Sequence, residues 1–441
     1  MRFAAIIYIF FSFLSSSVLE LYGTGERRFH IEAAGLGLGE TYYFSDNKNR
    51  TIGTSISTYW KSNLTRVSYS NRMTKKTSGY IDGDIYFSSF TFTLPISKYN
   101  GCSIGLTPYT RSDIIINESD GYLIGPGVSD AIEGTNSYSD YKVSGGISSV
   151  YLAFSSKINK NNSFGFKFDR LFGNQFKTKK TIISEFGYSS SGIPVYTETD
   201  STYKIVSNEF KGFTLQFDWM FHNKNHEFLV SATSIGPLNI NTKTYFNEYT
   251  SLNPYSNDNT FLVVESMDDL IKREPDYEYY IEDDIASKDF VNHFFDRIND
   301  YAIGYHYLSE NFGVIVEYHA NDLFQNTSLK EVNIFNYAKP SSCSYHLGLH
   351  KNFTNKKIGV WDSIYLRAGG YYKELSSSNL KGNDFAVTLG IGIDKSSNLI
   401  DLGIKFGKLN IDSFQSESYV DAILSIQIGN RWFENSRSKN D

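Results

Sequence analysis

The chain has two cysteines and eight prolines in 441 residues, and beyond its first residues it has no apolar run long enough to cross a bilayer as a helix. Cys102 and Cys343 lie far apart and give no disulfide framework, so both are expected to be small packing residues rather than a bridge. Scarce proline is what long, uninterrupted strands require. Basic excess is lacking as well: 42 Lys and Arg stand against 48 Asp and Glu, and the net charge of −6 excludes a nucleic-acid partner. No Gly-x-Ser-x-Gly elbow, His-Glu-x-x-His or Cys-x-x-Cys occurs, which predicts a protein that is not an enzyme and carries no cofactor and no metal. His346 and His350 share a strand face, but four residues of strand separate them by roughly 13 Å, too far to chelate one ion.

What is abundant is aromatic and small. The sequence holds 33 Tyr, 34 Phe and 34 Gly, a combination suited to strands and to bilayer interfaces. The clearest pattern is in residues 384–433. Phe385, Val387, Leu389, Ile391 and Ile393 alternate with Ala386, Thr388, Gly390, Gly392 and Asp394. Ile400, Leu402, Ile404 and Phe406 oppose Asp401, Gly403, Lys405 and Gly407, and Val420 to Ile428 repeat the pattern before Trp432 and Phe433. Period-two alternation means strands with one apolar face and one small, polar or charged face. The polar face suits a wet lumen and the terminal aromatic pair an interfacial girdle, so the prediction is an all-β transmembrane antiparallel barrel facing lipid.

Arg2, the apolar run from Phe3 to Leu14 and the serines after it predict a secretory signal peptide over 1–17. Residues 18–63 are expected to form an N-terminal plug and lead-in, because Ala33-Ala-Gly-Leu-Gly-Leu-Gly-Glu40 permits irregular backbone and sustains no alternation. The barrel is placed at 64–433 and a short periplasmic tail at 434–441. About fourteen amphipathic segments are separated alternately by short turns and long connections, notably 113–139, 178–208, 247–298 and 321–340. That is the plan of an outer-membrane barrel with both termini periplasmic, predicting a Gram-negative outer membrane and lipid as a surrounding partner. The implied lumen carries Lys167, Asp169, Asp218, Glu317, Arg367, Asp401 and Lys405, charges that either pair and hold a plug or line a solute path. The acidic loop around 265–300 carries helical spacing at Val291, Phe294 and Phe295, which marks them as extracellular-loop candidates.

With these features in place, the chain resembles the FadL/TodX-type outer-membrane transporters of long-chain fatty acids and hydrophobic compounds, especially divergent Bacteroidetes-like members. The resemblance rests on the glycine-rich Ala34–Glu40, on Phe90–Ile96 with Gly101–Tyr109, on Ser144–Leu152 with Asn162–Phe166 and Leu171–Gly173, and on Asp384–Gly392 through Asn430–Phe433. It implies a fourteen-stranded plugged barrel, a hydrophobic small-molecule ligand and a lateral exit at a kinked third strand. Pro108 falls in that strand, where a missing ladder donor makes a bulge or ends the strand. Gly35, Gly37, Gly39, Glu40 and Pro108 are accordingly the ligand-path candidates. The family's Asn-Pro-Ala motif before the first strand is replaced here by Ser45-Asp-Asn-Lys-Asn-Arg-Thr-Ile-Gly53. Some barrels of this class serve type IX secretion, which leaves a secretion partner, an exported protein bound through the loops, as the alternative function.

Overall fold

The computed structural model describes residues 26–27, 32–46, 55–76, 83–124, 134–188, 194–236, 239–249, 278–283, 298–321, 341–354, 361–395, 397–412 and 414–430. The signal segment, Val291, Phe294, Phe295, most of the acidic loop, Trp432, Phe433 and the C-terminal tail lie outside them.

In chain order the elements are β1 (Glu26–Arg27), a one-turn helix α1 (Ala33–Gly37), a 3-10 segment (Ile56–Lys61), β2 (Thr65–Lys76), β3 (Gly83–Pro95), β4 (Asn100–Ile124), β5 (Gly134–Lys157), β6 (Asn162–Tyr188), β7 (Pro194–His222), β8 (His226–Ile235), β9 (Asn239–Tyr249), β10 (Glu278–Asp283), β11 (Ile298–Leu308), β12 (Phe312–Asn321), β13 (Ser341–Thr354), β14 (Ser363–Ser376), β15 (Lys381–Lys395), β16 (Asn398–Ile411) and β17 (Phe414–Asn430). Each of β2–β8 and β11–β17 pairs antiparallel with its neighbour, β8 with β11, and β17 pairs with β2, so fourteen strands close a barrel. Closure gives every barrel strand a neighbour on both sides, which is the condition for placing strands in hydrocarbon.

The faces fall where the alternation puts them. Val387, Leu389 and Ile428 point outward and are 60%, 55% and 57% exposed, whereas Thr388, Lys405, Asp421 and Ser425 are buried. On β7, Phe217 and Trp219 face out while Asp218 and Met220 face in. An outer surface of Phe, Leu, Ile and Val around charged interior positions has the polarity of a soluble protein inverted, as a lipid-facing barrel requires.

Two expectations about connections are corrected. Much of the spans 113–139 and 178–208 is strand: β4 to β7 are 25, 24, 27 and 29 residues long, against the ~9–11 that cross a bilayer. In these extensions Thr, Ser, Lys and Tyr replace the alternation that marks a lipid-facing strand. The span 226–246 is also two strands rather than one. The barrel strand ends at Ile235, and β9 leaves the wall to pair with the extension of β7 and with β10.

Candidate functional site

Residues 32–46 and 55–62 lie against the inner face of the barrel. Leu36 accepts these surroundings because Ala33 and Leu36 pack on Ile423, while Leu38 and Phe44 pack on Met220, Leu229 and Ile315. Each large apolar side chain so buried contributes about 1.5–3 kcal/mol. Ile56 and Tyr59 of the 3-10 segment pack against Tyr151 and Ala153 in the same way on the other side.

Polar contacts then pin this segment around the wall. Glu40 Oε2 lies 3.1 Å from Lys405 Nζ, Glu40 Oε1 lies 3.7 Å from Arg72, and Asp421 bridges the two cations, 2.9 Å from Lys405 and paired with Arg72. Burial pushes the Glu40 carboxyl up, but Lys405 and then Arg72 outweigh it and hold the group below its ordinary 4.5. Asp46 accepts from Arg367 Nε at 2.7 Å, and the same guanidinium reaches Asp401 at 2.9 Å. Glu317 accepts the amides of Tyr42 and Tyr43 at 2.9 and 3.0 Å, and His346 Nδ1 donates to the Gly39 carbonyl at 2.8 Å. Opposite, Asp218 accepts from Ser55 Oγ at 2.6 Å and from the Ile56 amide at 2.9 Å. Charges of β2, β14, β16 and β17 are therefore paired with opposite charges, and those of β7 and β12 accept hydrogen bonds from the two inner segments, which is how charged groups persist out of water.

Backbone meets backbone at the closest approaches. A Cβ on Gly37 would stand 2.7 Å from the Cα of Gly390, and one on Gly39 would stand 2.3 Å from the Leu347 carbonyl. Gly39 (φ 83°) also starts the turn out of α1, and Glu40 follows it in the left-handed region at φ 61°. A non-glycine residue held there needs compensation, and the ion pairs of Glu40 supply it. The small lumen-facing residues thus make room for the central segment rather than for water.

The wall is irregular between β3 and β4. The β3–β4 ladder runs only from Pro95 opposite Gly101 to Phe90 opposite Leu106. Among the described residues Gly83–Ser89 pair with β2 alone, so β3 and β4 part above Leu106. Immediately beyond, β4 has a register shift between Pro108 and Thr110, because proline has no N–H to give the ladder. The crease continues sideways through Gly145, Gly146 and Gly173, with φ 96°, 152° and 154°. β1 occupies part of the vacated edge, Arg27 opposite Thr110 and Glu26 opposite Arg111.

These features can be set beside known proteins. The family model BamG matches residues 15–439. The chain belongs to the BamG family. No curated protein matches it. Among solved structures, the CymD monoaromatic hydrocarbon channel superposes with a TM-score of 0.53 at 9% identity, covering 91% of this chain and 98% of that one. The toluene transporter TodX of P. putida gives 0.50 at 11%, covering 91% and 99%. The shared architecture is the FadL/TodX-type barrel, retained in this BamG-family chain at very low identity.

The candidate residues of this BamG-family chain fall into two groups. Gly35, Gly37, Gly39 and Glu40 lie together in the lumen, buried, and Pro108 lies in the wall at the parting of β3 and β4. The Ser45–Gly53 stretch that departs from Asn-Pro-Ala still supplies an anchor, since Asp46 is the partner of Arg367. Sequence reasoning did not single out Arg72 or Asp46. Their signal was present only as a charge on a face otherwise made of Ser, Thr and Gly, and a polar strand face does not say which charge meets which.

Proposed function

We propose that this BamG-family chain is a passive channel of a Gram-negative outer membrane that takes up hydrophobic small molecules, of the long-chain fatty acid or hydrocarbon class, and releases them sideways into the bilayer between β3 and β4. One observation carries the reading: residues 32–46 are pinned to lumen-facing side chains by ion pairs, while the β3–β4 ladder beside them ends at Phe90 and Leu106. A solute that cannot move axially past buried, charged contacts leaves where ladder hydrogen bonds are already missing, and only an apolar solute gains by entering lipid there. CymD and TodX, named as a hydrocarbon channel and a toluene transporter, support the ligand class by analogy of fold. Glu40 and its glycine-rich turn form the floor of this path, and Pro108 keeps the exit from zipping shut.

The test is mass spectrometry of ligands retained by protein purified from outer membranes, beside uptake of a fatty acid and of toluene by cells carrying Pro108→Val. Retained ligand and reduced uptake with an assembled barrel are expected; an empty barrel and unchanged uptake would sink the reading.

A second reading is a barrel that binds an exported protein. It rests on the blade formed where β4–β7 continue past the barrel and are joined by β9 and β10, an extracellular sheet far larger than a channel needs. Co-purification of another exported protein, lost on trimming β9 and β10 but not on Pro108→Val, would put this reading first.

A further inference from the structure

Near the rim of short turns, three adjacent strands place two histidines in contact. His306 on β11 and His350 on β13 flank β12, whose residue between them is Gly313, register partner of His350. The two Nε2 atoms lie 3.1 Å apart, and both side chains are buried at 0% and 1% exposure. The glycine is what lets them meet: a Cβ on Gly313 would stand 2.1 Å from His350 Nε2. On its far side His306 Nδ1 is 3.1 Å from Glu227 Oε2, and Glu227 is held by Lys61 at 2.7 Å.

Proton counting shows what this pair lacks. A carboxylate only accepts, so His306 carries its proton on Nδ1 and presents a bare Nε2. A neutral His350 must then put its own proton on Nε2, which leaves His350 Nδ1 bare. That nitrogen and Asn352 Oδ1, two residues along the same strand, are both buried acceptors without a hydrogen bond. A metal ion between the Nε2 atoms removes the conflict, because both Nδ1 atoms then carry protons and donate to Glu227 and Asn352. Two imidazoles on one Zn²⁺ at about 2.0–2.1 Å stand about 3.0–3.4 Å apart, which brackets the observed separation. A carboxylate behind a ligating imidazole is the usual arrangement that fixes its tautomer. Among the described residues no group of three or more His, Cys, Asp or Glu side chains is placed to hold a metal ion, so the chain itself offers two ligands here.

We propose that His306 and His350 bind a borderline divalent transition-metal ion such as Zn²⁺ through their Nε2 atoms, oriented by Glu227 and Asn352 and clamping β11 to β13 across Gly313. Imidazole donors select Zn²⁺, Ni²⁺ or Cu²⁺ over Mg²⁺ or Ca²⁺.

The experiment uses tag-free, full-length protein in detergent, stripped with a chelator and titrated with Zn²⁺ by calorimetry and with Co²⁺ by visible absorption. One ion per chain is expected. His306→Gln and His350→Gln should each weaken binding at least about ten-fold, and Glu227→Gln by about 10–100-fold, the range for a group behind a ligand. His226→Gln, on the same rim but bonded to Tyr305, should leave binding unchanged. Barrel assembly is checked in every variant by resistance to unfolding in cold detergent. Gly313→Ala, which displaces His350 without removing a donor, gives an independent arm and should also weaken binding. Equal binding in both histidine variants, or no saturable Zn²⁺ or Co²⁺ binding by the wild type together with an NMR signature of imidazolium at His350, overturns the proposal; the latter would assign the missing cation to a proton.

Discussion

At the scale of single residues, Glu40 concentrates the demands on the lumen. It occupies a left-handed backbone conformation, follows Gly39 in the turn out of α1, and is neutralised by Lys405 and Arg72. Removing one partner from a buried ion-pair group costs about 3–5 kcal/mol, because the remaining charges stay out of water. Glu40→Gln should therefore loosen residues 32–46, seen as faster amide hydrogen exchange there while the strands stay protected. The pH dependence has a definite sign. The folded carboxyl titrates below its ordinary 4.5, so its contribution is complete above that value and is lost as pH falls through the lower, folded one. Exchange in the same segment should rise on acidification below about pH 4.5, and the rise should be absent in Glu40→Gln. Arg367→Met tests the second anchor: Asp46 and Asp401 lose their cation, with a cost in the same range of about 3–5 kcal/mol, measured as protease access to the chain near Asp46.

At the scale of elements, the parting of β3 from β4 is a property of neither strand alone. β3 stays paired with β2 and β4 with β5 on either side of their bulges, so each has one paired edge, while the facing edges lose their pairing above Leu106. Unpaired edges attract strands, which explains why β1 lies on β4 at Thr110 and Arg111. Arg27→Cys with Thr110→Cys, which are register partners, should form a disulfide on oxidation and slow release of a hydrophobic ligand. A pair at Phe90 and Leu106, already opposite each other in the ladder, should leave release unchanged. Failure of the Arg27–Thr110 bridge to form would remove β1 from the exit.

At the scale of the whole molecule, the barrel is an inverted protein with its charge inside and its apolar surface outside. Leu389 is 55% exposed in the middle of a β15 face that carries Val387 and Ile391 on either side. Leu389→Arg should cost about 2–4 kcal/mol of folding free energy, measured by denaturant titration in lipid vesicles, as expected for a cation at the bilayer midplane. The same substitution at the rim, at Phe353, should cost about 0–1 kcal/mol. Equal costs at both sites would contradict a lipid-facing band.

Alternation by itself determined the class of fold, the number of barrel strands and the face of nearly every residue in β15–β17, because a strand has only two faces and lipid and lumen demand opposite chemistry. It also placed seven charges on the lumen side, of which Lys405 pairs with Glu40 of the glycine-rich segment. The long extensions of β4–β7 were not legible, since their sequence sustains no period-two alternation. Charge partners, the parting at Leu106 and the meeting of His306 with His350 were decided by tertiary structure. Each joins residues brought together by barrel closure and shear across dozens to hundreds of positions, and in the last case the deciding feature is the side chain that Gly313 does not have.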